Sequence, residues 1–198
     1  GRLGESHPDL AALATSAESG TLRLRRLIEN LLESIRIESG QLAIRQLAVE
    51  LDEVLEEACE MTRPLLTQRR QTLDLRLPFP IPALRGDPQR LVQVFVNLLS
   101  NASKFAPEAS AIRVDAEVSA AAVRVRVEDG GPGFPEGAAP GRAGRFERWA
   151  PKEPAEAGSG LGLWIARSIV ERHGGTLSFD RRDERTGVAI DLPLEAAG

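Results

Sequence analysis

Asp87-Pro88-Gln89-Arg90-Leu91-Val92-Gln93-Val94-Phe95-Val96-Asn97-Leu98-Leu99-Ser100-Asn101-Ala102-Ser103-Lys104-Phe105 is the stretch from which the fold can be read. Asp87 before Pro88 reads as an N-cap and first helical position. A carboxylate there accepts from the free N–H groups of the first turn, and proline has no N–H to waste. The spacing predicts a helix to about Phe105. At about 100° per residue, Arg90, Gln93, Asn97, Ser100, Asn101 and Lys104 fall on one stripe, and nearly everything else is apolar. One reading of the stripe is a solvated face. Such faces favour Glu, Lys and Arg, however, and asparagine is a poor helix former. Two amides four residues apart with a lysine three beyond suit a second reading, a Mg²⁺ held through few protein ligands with phosphate oxygens beside it.

Working outward, two strands of strict period follow the helix: Ile112, Val114, Ala116, Val118, then Val123, Val125, Val127. Residues 130–158 are rich in Gly, Pro, Ala and Glu and show no period, which in a compact domain marks a lid or binding loop. A helix from about Gly160 to His173 and strands at 176–180 and 188–192 finish the chain. Upstream, Leu73, Leu75 and Leu77 alternate as a strand up to the proline-rich Pro78–Pro82, residues 51–70 read as a helix around Cys59, and Leu42 with Ile44 suggests a short strand. Before these, Leu10, Leu13, Ala17, Leu24, Leu27, Leu31 and Ile35 follow the 3-4 spacing of a bundle seam, from Pro8 to a C-cap at Gly40. A rod of that length seldom lies flat on one small core, so partners for it are expected. The fold class is α+β: a two-layer α/β sandwich, mostly antiparallel, with helices on one face, preceded by one long helix.

Composition bounds the function. The 198 residues carry 25 Lys+Arg against 29 Asp+Glu, so a net charge of -4 argues against a nucleic-acid partner. No apolar run approaches the ~18 residues of a membrane span, and no signal peptide opens the sequence, so no membrane contact from this stretch of chain and a cytoplasmic location are expected, with a membrane anchor in the full-length protein left open. The single cysteine, Cys59, excludes an internal disulfide and a cysteine zinc site and reads as helix core. Of the basic residues only Lys104 and Lys152 are lysine. A lone ammonium on the polar stripe of an arginine-rich chain points to a compact point charge.

Two further constellations stand out. Asp129-Gly130-Gly131-Pro132-Gly133 follows the strand at Val123–Val127, and continued alternation turns Asp129 inward. This could be a capped turn. It could equally be a carboxylate accepting from an exocyclic amine such as that of adenine, with side chains missing at Gly131 and Gly133 so that a flat ligand can approach. Gly158-Ser159-Gly160-Leu161-Gly162-Leu163 precedes a helix, whose free N–H groups form an anion site. It is neither a Walker A loop nor a dinucleotide fingerprint.

Taken in order, these stretches resemble the nucleotide-binding domain of the sensor histidine kinases of two-component systems, within the wider GHKL group of gyrase-, Hsp90- and MutL-type ATPases. The N-box is similar to Asn97–Phe105, the G1 box to Asp129–Gly133, the F-box to Arg145-Phe146-Glu147-Arg148-Trp149 and the G2 box to Gly158–Leu163, followed by His173-Gly174-Gly175. Arg26–Leu32 with Arg36-Ile37-Glu38-Ser39-Gly40 resembles the end of the second dimerisation helix. The resemblance implies a Bergerat-type ATP-binding catalytic domain over 41–198, with a lid at about 134–158, and a partial dimerisation domain over 1–40. It implies ATP and Mg²⁺ as ligands, with Asn101 on the metal and Asn97 as a second contact. Lys104 would meet the phosphates, Asp129 the adenine amine, and Gly131 and Gly133 would make room for the base. Gly158, Gly160, Leu161 and Gly162 would form the lid hinge and phosphate cradle.

The implied activity is transfer of the γ-phosphoryl of ATP to a histidine on a dimerisation helix. The implied partners are a second copy of the protein and a response regulator. Hydrolytic relatives carry Glu at the position of Asn97, and an amide cannot activate water as that base does. A related ATPase or Ser/Thr kinase, or a non-catalytic nucleotide-sensing dimerisation module, are the alternatives. No catalytic residue is assigned: the acceptor-histidine helix is expected to be absent, His7 reads as a loop residue, and His173 as a helix C-terminal residue favourable to the dipole. The sequence departs from the pattern at Pro8, Ala106, Phe134, Trp149 and the reversed pair Thr186-Gly187.

Overall fold

The computed structural model describes residues 8–134, 160–182 and 185–194. The chain divides into two compact units, Gly1–Gln41 and Leu42–Gly198. The first holds α1 (Pro8–Glu38), 31 residues long. It ends in a Schellman motif: Gly40 takes φ +70°, and the N–H groups of Gln41 and Gly40 reach the carbonyls of Arg36 and Ile37 at 2.9 and 3.2 Å. A side chain at φ > 0 would be strained, which is why glycine stops this helix. Leu24, Leu27, Ile28, Leu31, Leu32 and Ile35 are all exposed.

The second unit begins with β1 (Leu47–Val49) and α2 (Leu51–Gln68), then β2 (Thr72–Arg76), β3 (Leu84–Gly86) and α3 (Pro88–Phe105). A hairpin of β4 (Ala111–Val118) and β5 (Ala122–Asp129) follows, then α4 (Gly162–Arg172), β6 (Thr176–Arg182) and β7 (Arg185–Pro193). The main sheet has the order β2-β4-β5-β7-β6, with β2 and β4 parallel and every other neighbour antiparallel. β1 and β3 form a separate antiparallel pair.

Alternation in the strands sets the two layers. Ile112, Val114, Val123, Val125, Val127, Val188, Ile190 and Leu192 are buried, whereas Arg124 and Asp191 pair across the other face at 2.7 and 2.9 Å. The apolar face receives α3 and α4, which pack on each other, while α2 packs on α3. Phe95, Leu98, Ile165 and Ile169 are at most 2% exposed, and each such side chain contributes roughly 2–3 kcal/mol by leaving water. This is the expected two-layer α+β sandwich. Cys59 lies in the buried face of α2, and burial pushes its thiol up, so it is core as expected.

Two local expectations are corrected. The alternation at Leu42 and Ile44 forms no strand; the strand starts at Leu47. The backbone N–H of Arg45 is committed instead to the Asp87 carboxylate at 3.3 Å, and Leu42 is buried, so this segment packs rather than pairs. β3, three residues between the prolines and the Asp87 cap, has no counterpart in the sequence reading.

Candidate functional site

Asp87 caps α3 as the sequence predicts, with Oδ1 accepting from the Arg90 N–H at 3.3 Å. The Arg45 guanidinium grips the same carboxylate through Nε and Nη2 at 2.9 and 3.0 Å, and these bonds hold it down at about 2. The Asp87 N–H donates to His173 Nε2 at 2.9 Å, and His173 Nδ1 lies 2.8 Å from the Ile169 carbonyl. Both contacts together require the neutral tautomer with its proton on Nδ1. Burial also lowers the pKa of His173. His173 does stand at the end of α4, but the expectation that its charge favours the helix dipole is corrected: it is a buried neutral tie between α4 and α3.

The polar stripe of α3 splits into two regions. Arg90 Nη1 donates to Gln93 Oε1 at 3.0 Å, and both line an open cleft of about 490 Å³ beside Asp87 and Arg45. Asn97 and Asn101, one and two turns on, face the start of α4. A methyl group built on Gly162 would lie 3.5 Å from Asn97 Oδ1 and 3.9 Å from Asn101 Nδ2, filling the space in front of both amides. Asn97 Nδ2 is buried and has no hydrogen-bond partner among the described residues. A buried amide donor without a partner costs about 1–3 kcal/mol, the signature of a group placed for something else. Lys104, half-buried, holds its Nζ 4.7 Å from the centre of the Phe105 ring.

β5 delivers Asp129 to the helix side of the sheet, where it is 6% exposed. Its Oδ1 accepts from the Gly131 N–H at 2.7 Å. Burial pushes the carboxyl up to about 6, against the pull of that N–H and of Arg185 toward the charged form. Gly131 is fixed by crowding: a Cβ there would come within 2.5 Å of Asp129 Oδ1 and 2.9 Å of the Phe105 carbonyl. Its loop therefore runs directly beneath the end of α3. Gly133 is fixed by conformation, at φ +90°.

Register brings in a residue that the sequence reading set aside as a departure. Thr186 of β7 pairs with Asp129 of β5, and its hydroxyl donates to the Gly131 carbonyl at 3.3 Å. The reversed Thr186-Gly187 order thus places a hydroxyl on the loop that holds Asp129. Only cross-strand register reveals it. Phe134, another departure, stacks on Phe179 of β6 with ring centroids 4.1 Å apart.

The structure thus brings Asn97, Asn101 and Gly162 together as one group, and Asp129 and Gly131 as another, with Gly133 on the same loop. Gly160 takes φ +70° and Leu161 is buried just before α4. Gly158, the F-box stretch Arg145–Trp149, His7 and the lid beyond Phe134 lie outside the described residues. No cluster of three His, Cys, Asp or Glu able to hold a metal exists among the described residues. The amide oxygens of Asn97 and Asn101 are hard donors that suit Mg²⁺ only when other oxygens, such as phosphates, complete its shell. Among the described residues no helix is long and apolar enough to cross a membrane.

The domain is a two-layer sandwich with a buried carboxylate under a glycine loop and paired amides facing a glycine-opened helix start. Residues 86–196, more than half of the chain, match the family described as histidine kinase-, DNA gyrase B- and HSP90-like ATPase, and the chain belongs to that family. Its relatives include sensor proteins, sensory kinases and a probable sensor histidine kinase. It is similar to sensor protein KdpD of Escherichia coli (strain K12), 35% identical over 94% of this chain and 21% of that protein. Among solved structures it is similar to the mycobacterial sensor histidine kinase MprB, with TM-score 0.65 and 26% identity over 75% of this chain and 97% of that one. It also shares the fold of histidine kinase ThkA, solved in complex with the response regulator protein TrrA, with TM-score 0.72 and 22% identity over 89% of this chain and 49% of that one. The chain spans about a fifth to under half the length of the curated relatives it matches.

Proposed function

We propose that the chain is the ATP-binding catalytic region of a sensor histidine kinase, which binds Mg-ATP and transfers the γ-phosphoryl group to a histidine on a dimerisation helix. The observation that carries this reading is the orphaned Asn97 amide beside Asn101 and facing Gly162, at one end of a site whose other end is the buried Asp129. Asp129 accepts from the adenine amine, and Gly131 and Gly133 leave room for the base. Asn101, with Asn97 beside it, orients the phosphates and would hold Mg²⁺. Lys104 swings from Phe105 to the phosphate chain, and the N–H groups at the start of α4, with Gly158, Gly160, Leu161 and Gly162, cradle it. When bound, Mg²⁺ would supply positive charge that neutralises the phosphate oxygens.

In the transfer, a ring nitrogen of the acceptor histidine forms a bond to the γ-phosphorus as the bond to the ADP oxygen breaks, and the ring proton leaves to solvent. Catalysis is then positioning and charge stabilisation. Asn97 offers no base to activate water, so the phosphoryl group is kept for the histidine. In this reading residues 1–40 supply part of the dimerisation domain, 41–198 the ATP-binding domain, and about 134–158 the lid. The exposed leucine and isoleucine stripe of α1 fits self-association with a second copy, and a response regulator is the downstream partner, on the cytoplasmic side. The ThkA complex with TrrA supports that partner class.

The test is to mix the chain with Mg-ATP and a separate protein carrying the acceptor helix, then assay acid-labile phosphohistidine. Phosphohistidine on the acceptor is expected, with Asn101→Ala abolishing it. Nucleotide binding without any phosphohistidine would leave a nucleotide-sensing module, and rapid ATP hydrolysis would indicate a hydrolytic ATPase.

A further inference from the structure

The register that sets Thr186 opposite Asp129 sets Arg181 of β6 opposite Thr186. Asp129, Thr186 and Arg181 therefore form one row across three strands. Partners across a ladder share a face, so all three side chains rise on the side of the helices, where Asp129 is buried. The Arg181 guanidinium lies against the glycine loop: a Cβ built on Gly133 would be 3.2 Å from its Nη1 and 3.7 Å from the Thr186 hydroxyl. Side-chain loss at Gly133 thus opens space onto a guanidinium, not onto apolar wall.

The arginines of the opposite face behave differently. Arg124 pairs with Asp191 and Arg76 with Asp74. Arg181 is exposed, and among the described residues no carboxylate pairs with it. Two strand spacings of about 4.8 Å separate it from Asp129 at the backbone, a span that one planar base fits once both side chains are in place. An ionised carboxylate only accepts hydrogen bonds, and a guanidinium only donates them. Across such a row the pair reads a ring edge that offers an amine donor and a nitrogen acceptor.

We infer that Arg181 is a base-binding residue of the nucleotide site, donating to an acceptor nitrogen of the base whose amine meets Asp129. The inference rests on the nucleotide reading above and deepens it. Arg181 lies against the glycine loop that holds Asp129, the residue assigned to the base, so in this inference it contacts the base and not the phosphates. Its loss is therefore independent of the number of phosphates.

The experiment is calorimetric titration of adenosine, ADP and Mg-ATP into the wild-type chain and Arg181→Gln, with melting temperatures confirming that the variant is folded. One lost hydrogen bond predicts a roughly five- to tenfold weaker affinity, by the same factor for all three ligands. A loss that grows from adenosine to Mg-ATP would put the guanidinium on the phosphates and overturn the assignment. Unchanged affinities beside normal wild-type binding would overturn it alone. A folded wild type that binds none of the three would overturn the nucleotide reading, and this inference with it.

Discussion

Burying Asp129 without an ion-pair partner among the described residues works against folding in the nucleotide-free protein. Its carboxyl titrates at about 6, above the usual carboxylate range, because burial disfavours the charge. The native state therefore takes up its proton at higher pH than the unfolded chain. Stability falls as pH rises from about 4 to about 6, and the full cost, roughly 2–3 kcal/mol, persists above that window. Asp129→Asn keeps an oxygen to accept from the Gly131 N–H but removes the buried charge. Thermal melts should therefore place the nucleotide-free variant above wild type at pH 7.5, with the difference closing toward pH 4. A difference that does not vary with pH would contradict this account. The inward turn of Asp129 was legible from strand alternation alone. Thr186 and Arg181 were not, because register with a strand more than fifty residues away is a property of the folded sheet.

The elements of the site are held by contacts remote from it. α3 carries Asn97 and Asn101, and its start is tied to the end of α4 by the Asp87 N–H on His173 Nε2. That tie fixes Gly86, where a Cβ would fall 2.6 Å from His173 Cδ2 and 2.9 Å from its Nε2. The imidazole cannot swing aside without losing a hydrogen bond at each ring nitrogen. Gly86→Ala is thus expected to cost about 1–3 kcal/mol in urea unfolding, the scale of an overpacked core. Wild-type stability in that variant would show the ring to be free. The long period of α3 and its Asp87-Pro88 start made that helix readable in full. β3 was invisible because three residues are too few for a period. The segment around Leu42 misled because alternation cannot distinguish a paired N–H from one bound to a carboxylate.

For the whole molecule, the order of strands and helices followed from alternation, caps and turn residues, and the α+β sandwich followed from the order. If the proposed function holds, net charge was a poor guide to the ligand: a mildly acidic chain would offer a polyanion local amides, helix N–H groups and one lysine. What the sequence could not supply was depth, since nothing in it says that the Asn97 amide is buried and without a partner among the described residues. In the proposed function, one ligand spans that amide and the buried Asp129. Calorimetric titration of Mg-ATP into the wild-type chain and into Asp129→Asn tests this most directly. The account predicts saturable binding of one nucleotide per wild-type chain, and affinity roughly ten- to a hundredfold weaker in the variant, as expected for loss of a charged acceptor. No binding to a folded wild-type chain, or equal affinity in both proteins, would contradict it.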